Sequence, residues 1–136
     1  MSYVESVRPF AYAIPVGPLH SRSWECSTRG QVLAAAFEVH ESAMKAGFMP
    51  DEATTLSLCL AELCVQAVLY ARGAVASVFF SESSWRIEVA DSGPSSERKQ
   101  APMLHCALPR PLSSLRVRRG ALSTVVIAEY ERVQDA

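Results

Sequence analysis

The sequence has little of what marks several large classes of protein. Its net charge is only −1, so nothing in the charge favours nucleic acid or an anionic membrane surface as a partner. No apolar run approaches the length of a membrane span. The N-terminus lacks the basic start and the apolar stretch of a signal peptide. We therefore expect a cytoplasmic protein that binds neither nucleic acid nor a membrane.

The cysteines indicate neither disulfide bonds nor a metal site. The chain has four cysteines and no C-x-x-C pair, which argues against zinc because zinc sites need closely spaced ligands. Two of the four, Cys59 and Cys64, fall inside an apolar stretch. We expect buried free thiols in a reducing compartment.

The remaining composition is that of an ordinary globule. Of 136 residues, 49% are hydrophobic and 20% are charged, which is enough for one domain with a proper core. Residues 1–20 contain several prolines and the apolar residues Phe10, Tyr12, Ile14 and Val16, a pattern that predicts an extended arm. We expect this arm to add to its own sheet as an edge strand, or to pair with a second copy or a partner.

From residue 23 onwards the apolar pattern predicts two helices and five strands in a single domain that spans residues 1–136. The predicted elements are a strand at 23–26, helices at 31–46 and 50–71, a hairpin of strands at 75–80 and 85–90, and strands at 115–118 and 122–132. A polar, proline-rich loop separates the hairpin from the last two strands. This order predicts helices packed on one face of a mostly antiparallel sheet.

Two polar residues interrupt the second helix. Between Leu56 and Ala71 only Glu62 and Gln66 are strongly polar, and their spacing places them side by side on one face. A helix that is apolar on nearly every side is expected to be buried, and a buried carboxylate and amide need partners. The two side chains either satisfy each other and a nearby backbone group, or they face a ligand.

A third polar residue lies at the end of a predicted strand. In the segment WRIEVAD the apolar and the charged side chains alternate between two faces: Trp85, Ile87 and Val89 on one, Arg86 and Glu88 on the other. Continuing the alternation places Asp91 on the apolar face. Asp91 either binds a ligand, in one pocket with Glu62 and Gln66, or belongs to the tight turn that ends the strand.

These residues resemble the nucleotide site of the GHKL family, the histidine-kinase-like ATPases. The segment with Glu62 and Gln66 resembles the N-box, E-x-x-x-N, and the segment DSGP at 91–94 resembles the first glycine box, D-x-G-x-G. Residues 47–73 are most similar to anti-sigma-factor serine kinases and to the switch kinase of the stressosome. The resemblance covers roughly residues 23–94 and implies an α/β (α+β) two-layer sandwich of the histidine-kinase-like ATPase type.

The resemblance assigns roles to four residues. It implies that Glu62 is the catalytic base or the group that orients the attacking atom. It implies that Gln66, at the position of the family's Asn, contacts the nucleotide and ligates Mg²⁺, although its extra methylene does not suit the strict geometry of that ion. It implies that Asp91 accepts the adenine amino group and that Gly93 lets the chain approach closely.

The phosphate-binding part of the family's motif is missing. Family members hold the phosphates on a second glycine-rich segment at the start of a helix, whereas here no glycine lies between Gly93 and Gly120. The second glycine of the first box is replaced by Ser95, and prolines in the same stretch remove further N–H donors. We therefore predict that binding of ATP and Mg²⁺ is weak or absent.

The resemblance implies one of two functions. The first is a bacterial regulatory protein of the anti-sigma-factor or switch-kinase type that is not catalytic and acts by contacting a sigma factor or an anti-anti-sigma-type domain. The alternative is an active ATP-dependent serine/threonine protein kinase that phosphorylates an anti-anti-sigma-type partner. The replacements at Gln66 and Ser95 favour the first. Because related regulators pair through the N-terminal segment, a homodimer is a further expectation.

Overall fold

The computed structural model describes residues 20–71, 73–91, 104, 107–120 and 123–132. These residues form two helices and five strands: β1 (His20–Cys26), α1 (Arg29–Lys45), α2 (Pro50–Ala71), β2 (Ala74–Phe80), β3 (Ser84–Asp91), β4 (Ser114–Arg119) and β5 (Thr124–Glu131). Each predicted element is present, and the ends differ from the prediction by a few residues. Apart from residue 20, the predicted N-terminal arm lies outside the described residues.

The strands form one sheet in the order β1-β2-β3-β5-β4, and every neighbouring pair is antiparallel. Both helices pack on the same face of this sheet, where α1 contacts β1 and α2 lies over β2 and β3. The last strand in the sequence inserts between β3 and β4, so that β3 is the central strand. The predicted α+β two-layer sandwich is confirmed.

The helix ends follow from local sequence signals. The Thr28 hydroxyl accepts a hydrogen bond from the Gln31 amide (3.2 Å), and the Gln31 side chain accepts one from the Thr28 amide (3.2 Å), which is a capping box at the start of α1. Gly47, just after α1, has a φ of +96°, a conformation that ends helices and favours glycine. Pro50 then occupies the first position of α2, where its missing N–H is not needed.

The alternation along β3 is as predicted, but neither of its faces is open to water. Trp85, Ile87 and Val89 face the helices and are at most 1% exposed. Arg86 and Glu88, on the opposite face, are 2% and 6% exposed and form an ion pair with each other. Charged side chains on the outer face of a two-layer sandwich normally lie in water.

Burial of α2 is one-sided, which corrects the expectation of a helix buried all round. Leu56, Leu60 and Leu63 pack on the sheet and are at most 1% exposed, whereas Leu69 and Tyr70 are 63% and 56% exposed. The reason is that the sheet covers one side of the helix and α1 covers a second, which leaves the rest uncovered. By length and composition alone, this helix is also apolar enough to cross a membrane, contrary to the expectation from the sequence. Core helices that pack on a sheet, as this one does, share that property.

Three cysteines are buried free thiols, as predicted, and Cys106 lies outside the described residues. Cys26 on β1 is a hydrogen-bonding neighbour of Cys64 on α2. That contact, together with burial, raises the pKa of the Cys64 thiol, so this thiol stays protonated in the core.

Gly73, between α2 and β2, lies close against the end of β1. Its φ is +131°, and an added Cβ would lie 2.9 Å from the Cys26 carbonyl oxygen and 2.8 Å from the Ser27 hydroxyl. We expect Gly73→Ala to lower the free energy of unfolding by about 2 kcal/mol, because both the backbone conformation and the space exclude a side chain. Urea denaturation measures the change. Gly30→Ala is the control, since an added Cβ there meets nothing closer than 3.9 Å; equal effects of the two substitutions would contradict this account.

Candidate functional site

Asp91 ends the central strand on the face that the helices cover. It is 4% exposed, and the register pairs it with Ala74 of β2 and Thr124 of β5. The alternation along the sequence predicted this core-facing position. A buried carboxylate costs free energy unless it is bonded, so its position marks this end of the sheet for further attention. The nucleotide role of Asp91 stays a prediction.

Thr124 lies beside Asp91, and the sequence analysis missed it. Its side chain is 1% exposed, and its Oγ1 has no hydrogen-bond partner within the described part of the chain. Directly opposed residues on antiparallel strands have their Cβ atoms about 4.5–5.5 Å apart, so the hydroxyl and the carboxylate face the same small volume. Such a pair suits a ligand that both donates and accepts hydrogen bonds. The sequence shows a polar residue on the core-facing side of the last strand, but only the strand register shows that this residue lies beside Asp91.

Glu62 and Gln66 are half-buried and not buried, because they lie on a flank of α2. Helical spacing places them in line with Asp51 and Thr55. At the start of this flank, Arg110 donates from its Nε to the Asp51 carboxylate (2.6 Å) and from its backbone amide to the Thr55 hydroxyl (2.9 Å). The flank therefore faces the segment that leads into β4, and the two predicted site residues continue it towards the C-terminal end of α2.

Two contacts fix the direction in which α2 crosses the sheet. At its start, Glu52 accepts a hydrogen bond from the Tyr130 hydroxyl (2.6 Å), near the C-terminal end of β5. In its second half, Cys64 contacts Cys26 at the C-terminal end of β1. The helix thus runs from one end of the sandwich to the other.

This direction brings the predicted site residues to one end of the molecule. Cys26 aligns through β2 with Asp91 in one cross-strand row. Glu62 and Gln66 each lie two residues from Cys64, which is roughly 3 Å along a helix axis. The structure therefore groups the half-buried pair with the buried Asp91 at the same end. That the group binds a nucleotide stays a prediction.

Gly93 lies outside the described residues. Among residues 20–71, 73–91, 104, 107–120 and 123–132, no group of three or more His, Cys, Asp or Glu side chains could hold a metal ion. The proposed Mg²⁺ contact of Gln66 therefore rests on the sequence resemblance.

A second polar cluster lies at the opposite end of α2, and the sequence did not predict it. Glu52 is 1% exposed. One of its carboxylate oxygens accepts hydrogen bonds from the Tyr130 hydroxyl (2.6 Å) and the Arg132 Nε (3.0 Å). The other accepts from the Arg132 Nη2 (2.9 Å) and the Met49 amide (2.8 Å). We call Glu52, Tyr130 and Arg132 the Glu52 cluster.

The pKa values in the Glu52 cluster are those expected of a structural ion pair and hydrogen-bond network. Burial raises the pKa of Glu52, but the hydrogen bonds from Arg132, Tyr130 and Met49 outweigh it and the pKa is about 2. Burial and the same carboxylate raise the pKa of Tyr130 to about 12. The carboxylate thus stays ionised and the phenol stays protonated at ordinary pH. Because donors of the chain itself bond both Glu52 carboxylate oxygens, the cluster joins α2 to the end of β5.

A third feature is an apolar face of α1 that points away from the sheet. Leu33, Phe37 and Met44 are 70%, 67% and 42% exposed. Their spacings of four and seven residues place them on one face, which we call the α1 stripe. Large apolar side chains grouped on a surface commonly mark an interaction site. From the sequence we expect a partner surface to include this first helix and the N-terminal arm, but the sequence does not single out the stripe, because the helix is also apolar on the face that packs on the sheet.

Comparison with known proteins finds similarity among solved structures. No family model matches the sequence, and no curated protein matches it. Among solved structures, the chain is similar to the crystal structure of the RsbU and RsbW domains of Rv1364c from Mycobacterium tuberculosis, with a TM-score of 0.63 and 16% sequence identity. The match covers 88% of this chain and 34% of that chain, so this chain spans about a third of that protein's length.

The fold is that of the histidine-kinase-like ATPases. The sequence resemblance predicted this fold, and the match confirms it. At 16% identity the similarity establishes the fold alone. Function has to be argued from the residues of this chain.

Proposed function

We propose that this chain is a regulatory binding module of the anti-sigma-factor or switch-kinase type, which acts through protein–protein contacts and not through catalysis. The observation that carries the proposal is the α1 stripe. The structural similarity to a protein with an RsbW domain supports the regulatory class. The partner that we propose is a sigma factor or an anti-anti-sigma-type domain.

The stripe has the properties of a binding site for a protein. Burying a Leu, Phe or Met side chain stabilises a contact by roughly 1.5–3 kcal/mol. Three such residues on one rigid helix present this area without a large loss of conformational freedom on binding. A partner with a complementary apolar face would therefore gain most of its affinity from Leu33, Phe37 and Met44.

The nucleotide site supports the non-catalytic form of the proposal. Phosphoryl transfer is catalysed by positioning and charge neutralisation, which need Mg²⁺ and a cradle for the phosphates. Gln66 stands where the family has Asn, and Ser95 stands where it has a glycine. The stretch after Gly93 also lacks a glycine-rich segment. These replacements remove the parts on which efficient use of ATP depends.

A binding panel tests the proposal. The sigma factors and anti-anti-sigma-type domains encoded in the same genome are immobilised, and binding of this chain is measured by interferometry with and without Mg²⁺·ATP. We expect one of them to bind with a dissociation constant of about 1 μM or below, close to 8 kcal/mol, whether or not nucleotide is present. The proposal is wrong if binding requires Mg²⁺·ATP or if the bound domain becomes phosphorylated.

The kinase alternative is favoured by one observation, the buried pair of Asp91 and Thr124. The Asp91 carboxylate could accept a hydrogen bond from the amino group of a purine. The Thr124 hydroxyl, which has no hydrogen-bond partner among the described residues, could donate one to a ring nitrogen. If transfer of phosphate to a panel member is seen, Glu62→Ala should abolish it and leave the melting temperature unchanged. Transfer that survives this substitution would remove Glu62 from the proposed catalytic role.

A further inference from the structure

Two of the buried cysteines are in contact across the core. Cys26 is the last residue of β1, and strand alternation places it on the helix-covered face together with Trp24. Cys64 lies in the second half of α2. Both side chains are 0% exposed, and their thiols are hydrogen-bonded to each other. We call Cys26 and Cys64 the thiol pair.

Backbone contacts bring the same two parts of the chain together. The Gly73 amide donates a hydrogen bond to the Ala67 carbonyl oxygen near the end of α2 (3.2 Å). A Cβ added at Gly73 would lie 2.9 Å from the Cys26 carbonyl oxygen. The C-terminal part of α2 therefore lies against the end of β1. The fold holds the thiol pair together, and the pair does not depend on its own hydrogen bond alone.

The surroundings of the thiol pair permit a covalent bond. Thiols in hydrogen-bond contact need little movement to form a disulfide. In the described part of the chain, β1 is an edge strand that pairs with β2 alone, so it can shift towards α2 without breaking a second ladder. Ser27 and Thr28, directly after Cys26, are exposed. Because the end of a strand opens at a lower free-energy cost than its centre, a small oxidant can reach the pair by local opening.

The two thiols differ in a way that suits stepwise oxidation. The hydrogen bond from the Cys64 thiol outweighs burial and lowers the pKa of Cys26, whereas the same contact and burial raise the pKa of Cys64. The thiolate is the form that reacts with oxidants. Cys26 is therefore the attacking group, and Cys64 is a thiol placed beside it that can react with the oxidised product.

Helix geometry excludes the other pairing within α2. Cys59 is also 0% exposed, and it lies one turn and a half before Cys64 on the same helix. That spacing points the two side chains about 140° apart around the helix axis, so a bond between them would distort the helix. Among the described cysteines the fold thus favours Cys26 with Cys64, and Cys59 provides a matched control.

We propose that Cys26 and Cys64 are a redox site that hydrogen peroxide converts into a reversible disulfide. The Cys26 thiolate attacks a peroxide oxygen, the O–O bond breaks, and a sulfenic acid forms with release of hydroxide, which takes up the Cys26 proton as water. The Cys64 sulfur then attacks the Cys26 sulfur, the S–O bond breaks, and the hydroxyl group leaves with the Cys64 proton as water. The two thiols lose two electrons, and the peroxide is reduced to two molecules of water. The bond ties β1 to α2 at the end of the sheet that holds Asp91.

Disulfide mapping on the full chain tests the proposal. The reduced protein is treated with hydrogen peroxide, the remaining thiols are alkylated, and the non-reduced peptides are identified by mass spectrometry. We expect the linkage of Cys26 to Cys64 to exceed every other cysteine pairing at least about tenfold, and the oxidised chain to melt several degrees higher than the reduced chain. Dithiothreitol should reverse both changes. The same treatment of the urea-unfolded chain is the control and should give mixed pairings.

Two variants separate the thiol pair from the other cysteines. Cys59→Ala should leave the linkage and the higher melting temperature unchanged, and Cys64→Ala should abolish both. A comparable or larger yield of a linkage through Cys59 or Cys106, or of a linkage between two chains, would overturn the proposal. So would a native chain in which Cys26 and Cys64 stay reduced after Met49, which is 57% exposed, has been oxidised to the sulfoxide. Should Cys64→Ala fail to fold, the mapping of the unchanged chain decides alone.

Discussion

Replacing Glu52 with alanine is expected to lower the free energy of unfolding by about 3 kcal/mol, the size seen when one partner of a buried ion pair is removed. The substitution takes away the acceptor of four hydrogen bonds, from Tyr130, twice from Arg132 and from the Met49 amide. The buried Tyr130 hydroxyl loses its partner, while Arg132, whose side chain is 34% exposed, regains some water. Chemical denaturation monitored by circular dichroism measures the loss.

The control for this substitution is Asp51→Asn on the same turn. Asp51 forms an ion pair with Arg110 in which both side chains are 43% exposed, so losing its charge should cost less than about 1 kcal/mol. The amide retains an oxygen that can accept from the Glu52 amide. If the two variants were destabilised equally, burial and hydrogen bonding of Glu52 would not be what holds α2 to β5.

The same contacts predict how stability depends on pH. The pKa of Glu52 is about 2 in the folded chain and about 4.3 in an unfolded chain. A lowered pKa contributes stability above the unfolded value, and that contribution is lost as the pH falls from about 5 to 2. The contribution is about 3 kcal/mol. Glu52→Gln should flatten this part of the pH profile, and a profile that keeps its slope would show that other carboxylates cause the acid sensitivity.

Placing two carboxylates on the α1 stripe is expected to abolish partner binding without unfolding the protein. In the variant Leu33→Glu with Phe37→Glu, the dissociation constant for the binding-panel partner should rise at least about 100-fold, because the apolar contacts are lost and two charges are desolvated. Both side chains are about two-thirds exposed, at 70% and 67%, so the free energy of unfolding should change by no more than about 0.5 kcal/mol for each.

A matched control separates the stripe from exposed apolar surface in general. Val75→Glu introduces the same charge at an exposed apolar residue (47%) on the outer face of the sheet. Partner binding should survive that change. If Val75→Glu weakens binding as much as the double variant does, or if the double variant still binds, the α1 stripe is not the partner surface.

The fold was predictable from the sequence because its determinants are local. Thr28, Gly47 and Pro50 set the helix ends through capping and backbone conformation, and these act over a few residues. The alternation in β3 likewise placed Asp91 on the core side. Order along the chain and the sparing use of helix breakers were enough to give the two-layer sandwich.

What the sequence did not reveal depends on contacts between distant residues. From the sequence, Glu52 is only one of two acids in the first turn of a helix. Its partners Arg132 and Tyr130 lie 80 and 78 residues away along the chain. Thr124 becomes a neighbour of Asp91 only because β5 inserts beside β3. Glu62 and Gln66 are half-buried because the sheet and α1 leave part of α2 uncovered. The apolar composition of the helix alone overestimates how much of it is buried.

The central claim is that this chain retains the fold and a partner surface but makes no efficient use of ATP, and a thermal-shift titration with Mg²⁺·ATP tests it most directly. A ligand at about 100 times its dissociation constant stabilises a folded protein by roughly 2.7 kcal/mol, which is several degrees in melting temperature for a domain of this size. Mg²⁺ with tripolyphosphate serves as the control for non-specific anion binding. We predict that about 1 mM Mg²⁺·ATP shifts the melting temperature no more than the control does. A specific shift of several degrees, which at this concentration corresponds to a dissociation constant of about 10 μM, would contradict the claim and favour the kinase.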